Sequence, residues 1–194
     1  MKEIIRQALA SRTRIILKES GYKESAVLVP IYEKGGRCHI VFTQRTAHLN
    51  HHKGEISFPG GGRHPDDRDL QVTALRESRE EIGLKEEDVE VLGTLDDAMT
   101  VTSLYRITPF VGLIPYPYEF NPDPFEVQEV FSFSHADLMY RAKFTIEKQV
   151  IGGHTLSIHT YEIGGRIIWG ATAWILSNFF EIVGPLSGAH RENG

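Results

Sequence analysis

Apolar positions along this chain recur in two periods. Ala74, Leu75, Ser78 and Ile82 form an inward stripe at helical spacing, which predicts a helix over Leu70–Ile82, with Asp69 as N-cap and Gly83 as C-terminal stop. Ala26–Tyr32 and Cys38–Thr43 are apolar, β-branched runs flanking Lys34-Gly35-Gly36 and predict a hairpin. Further strands are expected at Val89–Leu95, Ile107–Ile114, Val127–Phe133, Phe144–Ile151 and Leu156–Ile163, and a closing helix at Ala171–Phe180. Strands interleaved with a central and a terminal helix predict an α/β domain, a mixed sheet covered on both faces. Residues 48–69 are turn-rich and polar apart from Ile56 and Phe58, as suits an active-site loop carried by strands.

The start of the chain sets Ile4, Ile5, Leu9, Ile15 and Ile16 among Lys2, Arg6, Arg12 and Arg14. An organelle-import peptide would have this pattern, but Glu3, Glu19 and the lack of a small-residue cleavage signal favour an amphipathic helix over about residues 1–20, packed on the domain. At 194 residues one domain over 1–194 is expected. No apolar run approaches the roughly 18 residues of a membrane span. A net charge of −5 argues against coating nucleic acid, so an anionic ligand must be held locally. The lone Cys38 excludes an internal disulfide and is expected to pack. Cytoplasm is the default expectation, since the Glu192-Asn193-Gly194 end is no Ser-Lys-Leu-type address.

The most informative stretch is Arg76-Glu77-Ser78-Arg79-Glu80-Glu81-Ile82-Gly83-Leu84, directly after the glycine turn Phe58-Pro59-Gly60-Gly61-Gly62. Glu77, Glu80 and Glu81 stand three and four apart and so share one helical face. A solvated charged face is the ordinary meaning of such a run. Behind a glycine loop, and with an apolar stripe opposite, three repelling carboxylates point instead to a hard divalent ion, Mg2+ or Mn2+, holding phosphates.

These residues resemble the Nudix box, a glycine, five residues, a glutamate, seven residues, then Arg-Glu-apolar-x-Glu-Glu-x-Gly-apolar. Counted from Gly62, the Arg-Glu, Glu-Glu and Gly elements are in register. Two positions depart from the pattern: Arg68 replaces the first glutamate, with Asp67 one residue earlier, and Ser78 fills the first apolar slot. Phe42-Thr43-Gln44-Arg45, Leu49, His52, Gly54 and Phe58-Pro59-Gly60-Gly61 are similar to the motif preceding the box in the coenzyme A pyrophosphatase branch. That branch commonly carries an aspartate near the place of Asp67. Asn50 stands where its arginine is usual, leaving Arg45, His51, His52 and Lys53 to compensate. Ile168-Trp169-Gly170-Ala171-Thr172-Ala173 also looks like a stretch of that branch, and by itself reads as helix-start packing around Trp169.

The resemblance implies a Nudix-type α/β/α sandwich and metal-dependent hydrolysis of a diphosphate in a small nucleotide substrate. Coenzyme A or acyl-coenzyme A would give 3′,5′-ADP and (acyl-)4′-phosphopantetheine. ADP-sugars, dinucleotides or nucleoside triphosphates are the alternative substrates, and a non-catalytic nucleotide-binding module is the third reading. Glu77, Glu80 and Glu81 would hold the metal, with a carbonyl of Gly60, Gly61 or Gly62 completing it. Arg76 would orient the glutamates or pair with Glu80. Arg45, His52, Lys53, Phe58, Gly60 and Gly61 would contact substrate. The general base stays open among Glu126, Glu80 and Glu129. His51, His52 and His64 have no transition-metal spacing and are expected to be polar loop residues or phosphate contacts. Apolar edge strands make a homodimer an expectation.

Overall fold

The structure, a computed structural model, describes residues 1–47, 54–100, 103–151 and 154–186. Strands β1 (Lys23–Lys34), β2 (Arg37–Arg45), β3 (Ile56–Ser57), β4 (Gly60–Gly62), β5 (Glu90–Thr94), β6 (Ala98–Met99), β7 (Tyr105–Leu113) and β8 (Val127–Ser134) form one mixed sheet. β1 lies parallel to β7 and antiparallel to β2 and β4. A second, antiparallel sheet contains β9 (Lys143–Ile151), β10 (His154–Ile163) and β11 (Arg166–Trp169) in the order β11-β10-β9. The helices are α1 (Lys2–Ala10), α2 (Leu70–Ile82), α3 (His135–Tyr140) and α4 (Gly170–Val183).

β1 shows why the sheet is covered on both faces. Its side chains alternate, so Ala26 and Leu28 enter the core under α2 with Ala74 and Ile82, whereas Val29 and Ile31 enter the core on the other face, with Ile5 of α1 and Phe179 of α4. The result is helix, sheet, helix, with α2 alone on the face that carries the box.

α2 occupies the predicted span because its ends are set locally. The Asp69 side chain accepts from Val72 N at 2.9 Å. Gly83 adopts the left-handed region (φ 67°), and Leu84 N donates back to Ser78 O at 3.3 Å. Ser78 is tolerated in its apolar slot because its hydroxyl, fully buried, donates to Ala74 O at 2.7 Å. Cys38 packs in the core, where burial pushes its thiol up to about 12.

Two expectations are corrected. The N-terminal helix ends at Ala10, not near residue 20. Beyond it Arg12 pairs with Asp96 at 2.6 Å and Arg14 with Asp97, while the two carboxylates also accept from the amides of Ile15 and Leu17. A chain that gives its amides to another segment cannot keep them in a helix, so this part runs as a strap along the sheet. Trp169, expected to pack at the helix start, is 45 % exposed while Ile168 is fully buried. The alternation of β11 turns one inward and the other out. α3, not expected, begins with Ser134 accepting from Asp137 N, a local Ser-x-x-Asp cap legible in the sequence.

Candidate active site

Three elements converge on one cavity: the end of β2, the β3–β4 turn and the inner face of α2. Their residues Arg45, Phe58, Gly60, Gly61, Glu77 and Glu81 line it together with Glu126, in the turn before β8. A register shift between Gln44 and Arg45 displaces β2 there and aims Arg45 inward. β4 pairs with β1 through Val27↔Gly60 and Ala26↔Gly61, which presses the glycine loop against α2. Gly60 N donates to Glu81 Oε2 at 3.2 Å. A Cβ on Gly61 would lie 2.5 Å from Glu77 Oε2, so only glycine leaves the carboxylate its place. Gly61→Ala should therefore lower kcat/KM by about 10²-fold through displacement of Glu77, with a melting temperature close to wild type because a mobile side chain absorbs the clash; kinetics beside a thermal melt check this.

Arg76 fixes the helix to this loop. Its Nε and Nη2 donate to the two oxygens of buried Asp67 at 3.1 and 3.0 Å, and Nη2 also reaches Gly62 O at 3.2 Å. Its Nη1 meets Glu77 at 2.9 Å and Glu80 at 3.0 Å. Arg76 therefore makes the turn-to-turn pair with Glu80 as well as contacts to Asp67, Gly62 and Glu77. Asp67 further accepts from Thr73 Oγ1 and His64 N, each at 2.9 Å, and the Arg76 guanidinium chiefly holds its carboxyl far below the usual range. Arg68, in the box's glutamate position, is 79 % exposed and among the described residues pairs with Asp69 at 3.4 Å. The buried carboxylate in this chain is that of Asp67, one residue before the box position.

Electrostatically the site is poised for a cation. Glu81 is 4 % exposed, and burial pushes its carboxyl up to about 7 against the lowering influence of Arg45 and Gly60 N, with Glu126 and Glu77 repelling it. Burial likewise raises Glu77, opposed by Arg76 and reinforced by Glu80 and Glu126. Arg45 Nη1 stands 3.3 Å from Glu81 and Nη2 3.7 Å from Glu126. Oxygen donors of this kind, short of positive charge and flanked by glycine backbone, fit a hard divalent ion. Among the described residues no three His, Cys, Asp or Glu side chains are yet arranged to hold one.

The expected residues divide as follows. Glu77, Glu81, Glu126, Arg45, Gly60 and Gly61 come together. Glu80 does not line the cavity; it is 53 % exposed and paired with Arg76. Phe58, expected at the substrate, is almost wholly buried and stacked on Phe42, giving the cavity a floor. Glu129 is held by Arg166 at 2.8 Å, away from the cavity lining. His64 is exposed beside Asp66. Leu49, Asn50, His51, His52 and Lys53 lie outside the described residues. Not foreseen were Asp97, Met99, Trp169 and Trp174 on the cavity wall, brought there by long-range topology.

A model of the NUDIX domain matches residues 22–151. The chain is 36% identical over 144 residues to the peroxisomal coenzyme A diphosphatase NUDT7 of Mus musculus, covering 71% of this chain and 58% of that protein, so it spans less than two thirds of the mouse protein's length. It is 34% identical over 161 residues to the uncharacterized Nudix hydrolase NudL of Pectobacterium atrosepticum, covering 79% of each. Among solved structures, a MutT/nudix family protein from Enterococcus faecalis superposes over 93% of this chain and 73% of its own with a TM-score of 0.52 at 14% identity, a likeness of fold alone. With the family model over most of its length, the box in register on α2 and the glycine loop against it, this chain belongs to the Nudix hydrolase family.

Proposed function

We propose that the chain is a divalent-metal-dependent pyrophosphohydrolase that cuts coenzyme A or acyl-coenzyme A into 3′,5′-ADP and (acyl-)4′-phosphopantetheine. The observation that carries the chemistry is the buried Glu81 carboxylate, bonded to Gly60 N beside Glu77. The substrate choice is supported by the Phe42–Gly61 stretch and by the name of the mouse relative.

Glu77 and Glu81, with a carbonyl of the Gly60–Gly62 loop, would hold Mg2+ or Mn2+, and Glu80 would join them by leaving Arg76. When bound, such an ion neutralises diphosphate charge and acidifies water. The chain's own residues do the rest. Arg76, anchored by Asp67, is a positioning residue that sets the angle of Glu77 and Glu80. Arg45 offers its guanidinium to a phosphate oxygen in place of Glu81 and Glu126. Glu126, at the cavity mouth, accepts the proton of the attacking water at a carboxylate oxygen as water oxygen bonds to phosphorus and the bridging P–O bond breaks. Of the three bases considered, Glu126 is favoured because it lines the cavity, whereas Glu80 and Glu129 do not and are paired with Arg76 and Arg166.

Purified protein incubated with coenzyme A, ADP-ribose, NADH and a nucleoside triphosphate in Mg2+ or Mn2+ should release 3′,5′-ADP from coenzyme A in preference to any product of the others, as read by chromatography. Cleavage of the others alone would keep the hydrolase and discard the coenzyme A assignment. No cleavage at all would favour a nucleotide-binding module.

A further inference from the structure

The cavity is far larger than a diphosphate requires. It measures about 980 Å3, near the top of the roughly 300–1,000 Å3 range of small-molecule pockets. Beyond the carboxylates its wall comes from elements outside the box: Met99 of β6, Leu156 and Ile158 of β10, Trp169 at the end of β11 and Trp174 of α4. Trp169 and Met99 are 45 % and 37 % exposed. Among the described residues neither tryptophan stacks on another ring. Open apolar surface of this kind inside a cavity is a contact surface for a ligand.

Its charge decides which part of a ligand. Among the described residues Arg45 is the one Lys or Arg that lines the cavity, and it is engaged with Glu81 and Glu126. Glu77, Glu81, Glu126 and Asp97 line it too. His159, on the same wall, bonds Ser177 through Nδ1 at 2.8 Å, and burial favours its neutral form. Among the described residues a phosphorylated ribose would find no free cation here and several carboxylates. An uncharged, flexible, largely apolar arm would find Trp, Met and Ile. Met and Trp adapt to an arm of variable length, since one is flexible and the other broad.

We propose that the wall formed by Met99, Ile158, Trp169 and Trp174 binds the pantetheine or acyl-pantetheine arm, leaving the nucleotide end outside it; this rests on the coenzyme A reading above. The wall is built from β6 of the mixed sheet, from the second sheet and from α4, all outside the box, so substrate preference and catalysis are carried by separate parts of the chain.

The test is product inhibition of coenzyme A hydrolysis. Trp169→Ala should raise the inhibition constant of octanoyl-4′-phosphopantetheine about tenfold, the loss of roughly one aromatic contact, and leave that of 3′,5′-ADP within twofold. Trp169→Phe should recover most of the affinity. Because Trp169 is exposed, the variants should melt near wild type, and Met99→Ala should reproduce the same selective loss. Weakened inhibition by 3′,5′-ADP instead, or by both products equally, would overturn the assignment while the coenzyme A reading stood. Wild-type protein that cleaves ADP-ribose but not coenzyme A would overturn both.

Discussion

Glu81→Gln should abolish hydrolysis, lowering kcat by about 10³-fold or more, while leaving the metal-free protein at least as stable as wild type at neutral pH. The two effects have opposite signs because one carboxylate serves two ends. On the proposed function, Glu81 would supply the buried negative charge that a cation needs. For the fold it is a burden: its carboxyl titrates at about 7, against an ordinary value of 4.5. A carboxyl raised in the folded state gives stability that is complete below pH 4.5 and is lost as pH rises through about 7. The difference amounts to at most about 3 kcal/mol. Metal-free wild type should therefore lose melting temperature between pH 5 and 8. Glu81→Gln should flatten that slope, and Mg2+ or Mn2+ should restore wild type most strongly at the alkaline end. A thermal melt across pH with and without metal reads all three; a variant that is as pH-sensitive as wild type would show that Glu81 is not the group responsible.

Asp67→Ala should cost about 3–5 kcal/mol and lower the melting temperature on the order of 10 °C. Asp67 is buried and receives four hydrogen bonds, two from Arg76, one from Thr73 and one from His64 N. Removing it leaves Arg76 Nε without an acceptor, Nη2 with Gly62 O alone, and the Thr73 hydroxyl with only the longer contact to Asp69 O at 3.4 Å. Activity should fall as well, because Arg76 would no longer be anchored where it meets Glu77 and Glu80. The pH sign is opposite to that of Glu81. A carboxyl held below its ordinary value stabilises above about pH 4 and loses that contribution as pH falls through its depressed folded value, so wild type should owe part of its acid resistance to this pair. Arg68→Glu, which restores the box's usual residue at an exposed position, should change stability by less than about 0.5 kcal/mol. Denaturant melts of the two variants side by side would show whether the buried role belongs to Asp67 or to position 68.

What the sequence made legible follows the range of the interactions involved. α2 could be bounded to the residue, since Asp69 and Gly83 cap it within its own turns. The β1–β2 hairpin was equally local. The glutamate cluster was visible as spacing, and so was the proximity of the glycine loop. The sequence could not show which carboxylates turn inward. Glu80 and Glu81 are neighbours, yet Arg76 holds one at the surface and Gly60 N meets the other in the interior. Arg45 and Glu126, 81 positions apart in sequence, meet only because β2 pairs with β8. The helix expected near residues 1–20 failed for the same reason, as Asp96 and Asp97 draw residues 12–17 into a strap that no local pattern announces. Trp169 was noticed for its motif, but its exposure to the cavity depends on the pairing of β11 with β10.

The most direct measurement is the metal dependence of 3′,5′-ADP release from coenzyme A, by wild type and Glu81→Gln, in EDTA and over a titration of Mn2+. A metal-bound carboxylate site predicts no release in EDTA, saturable release with Mn2+ in wild type, and at most about one-thousandth of that rate in the variant at saturating metal. Release at the wild-type rate in EDTA, or by Glu81→Gln in Mn2+, would contradict it.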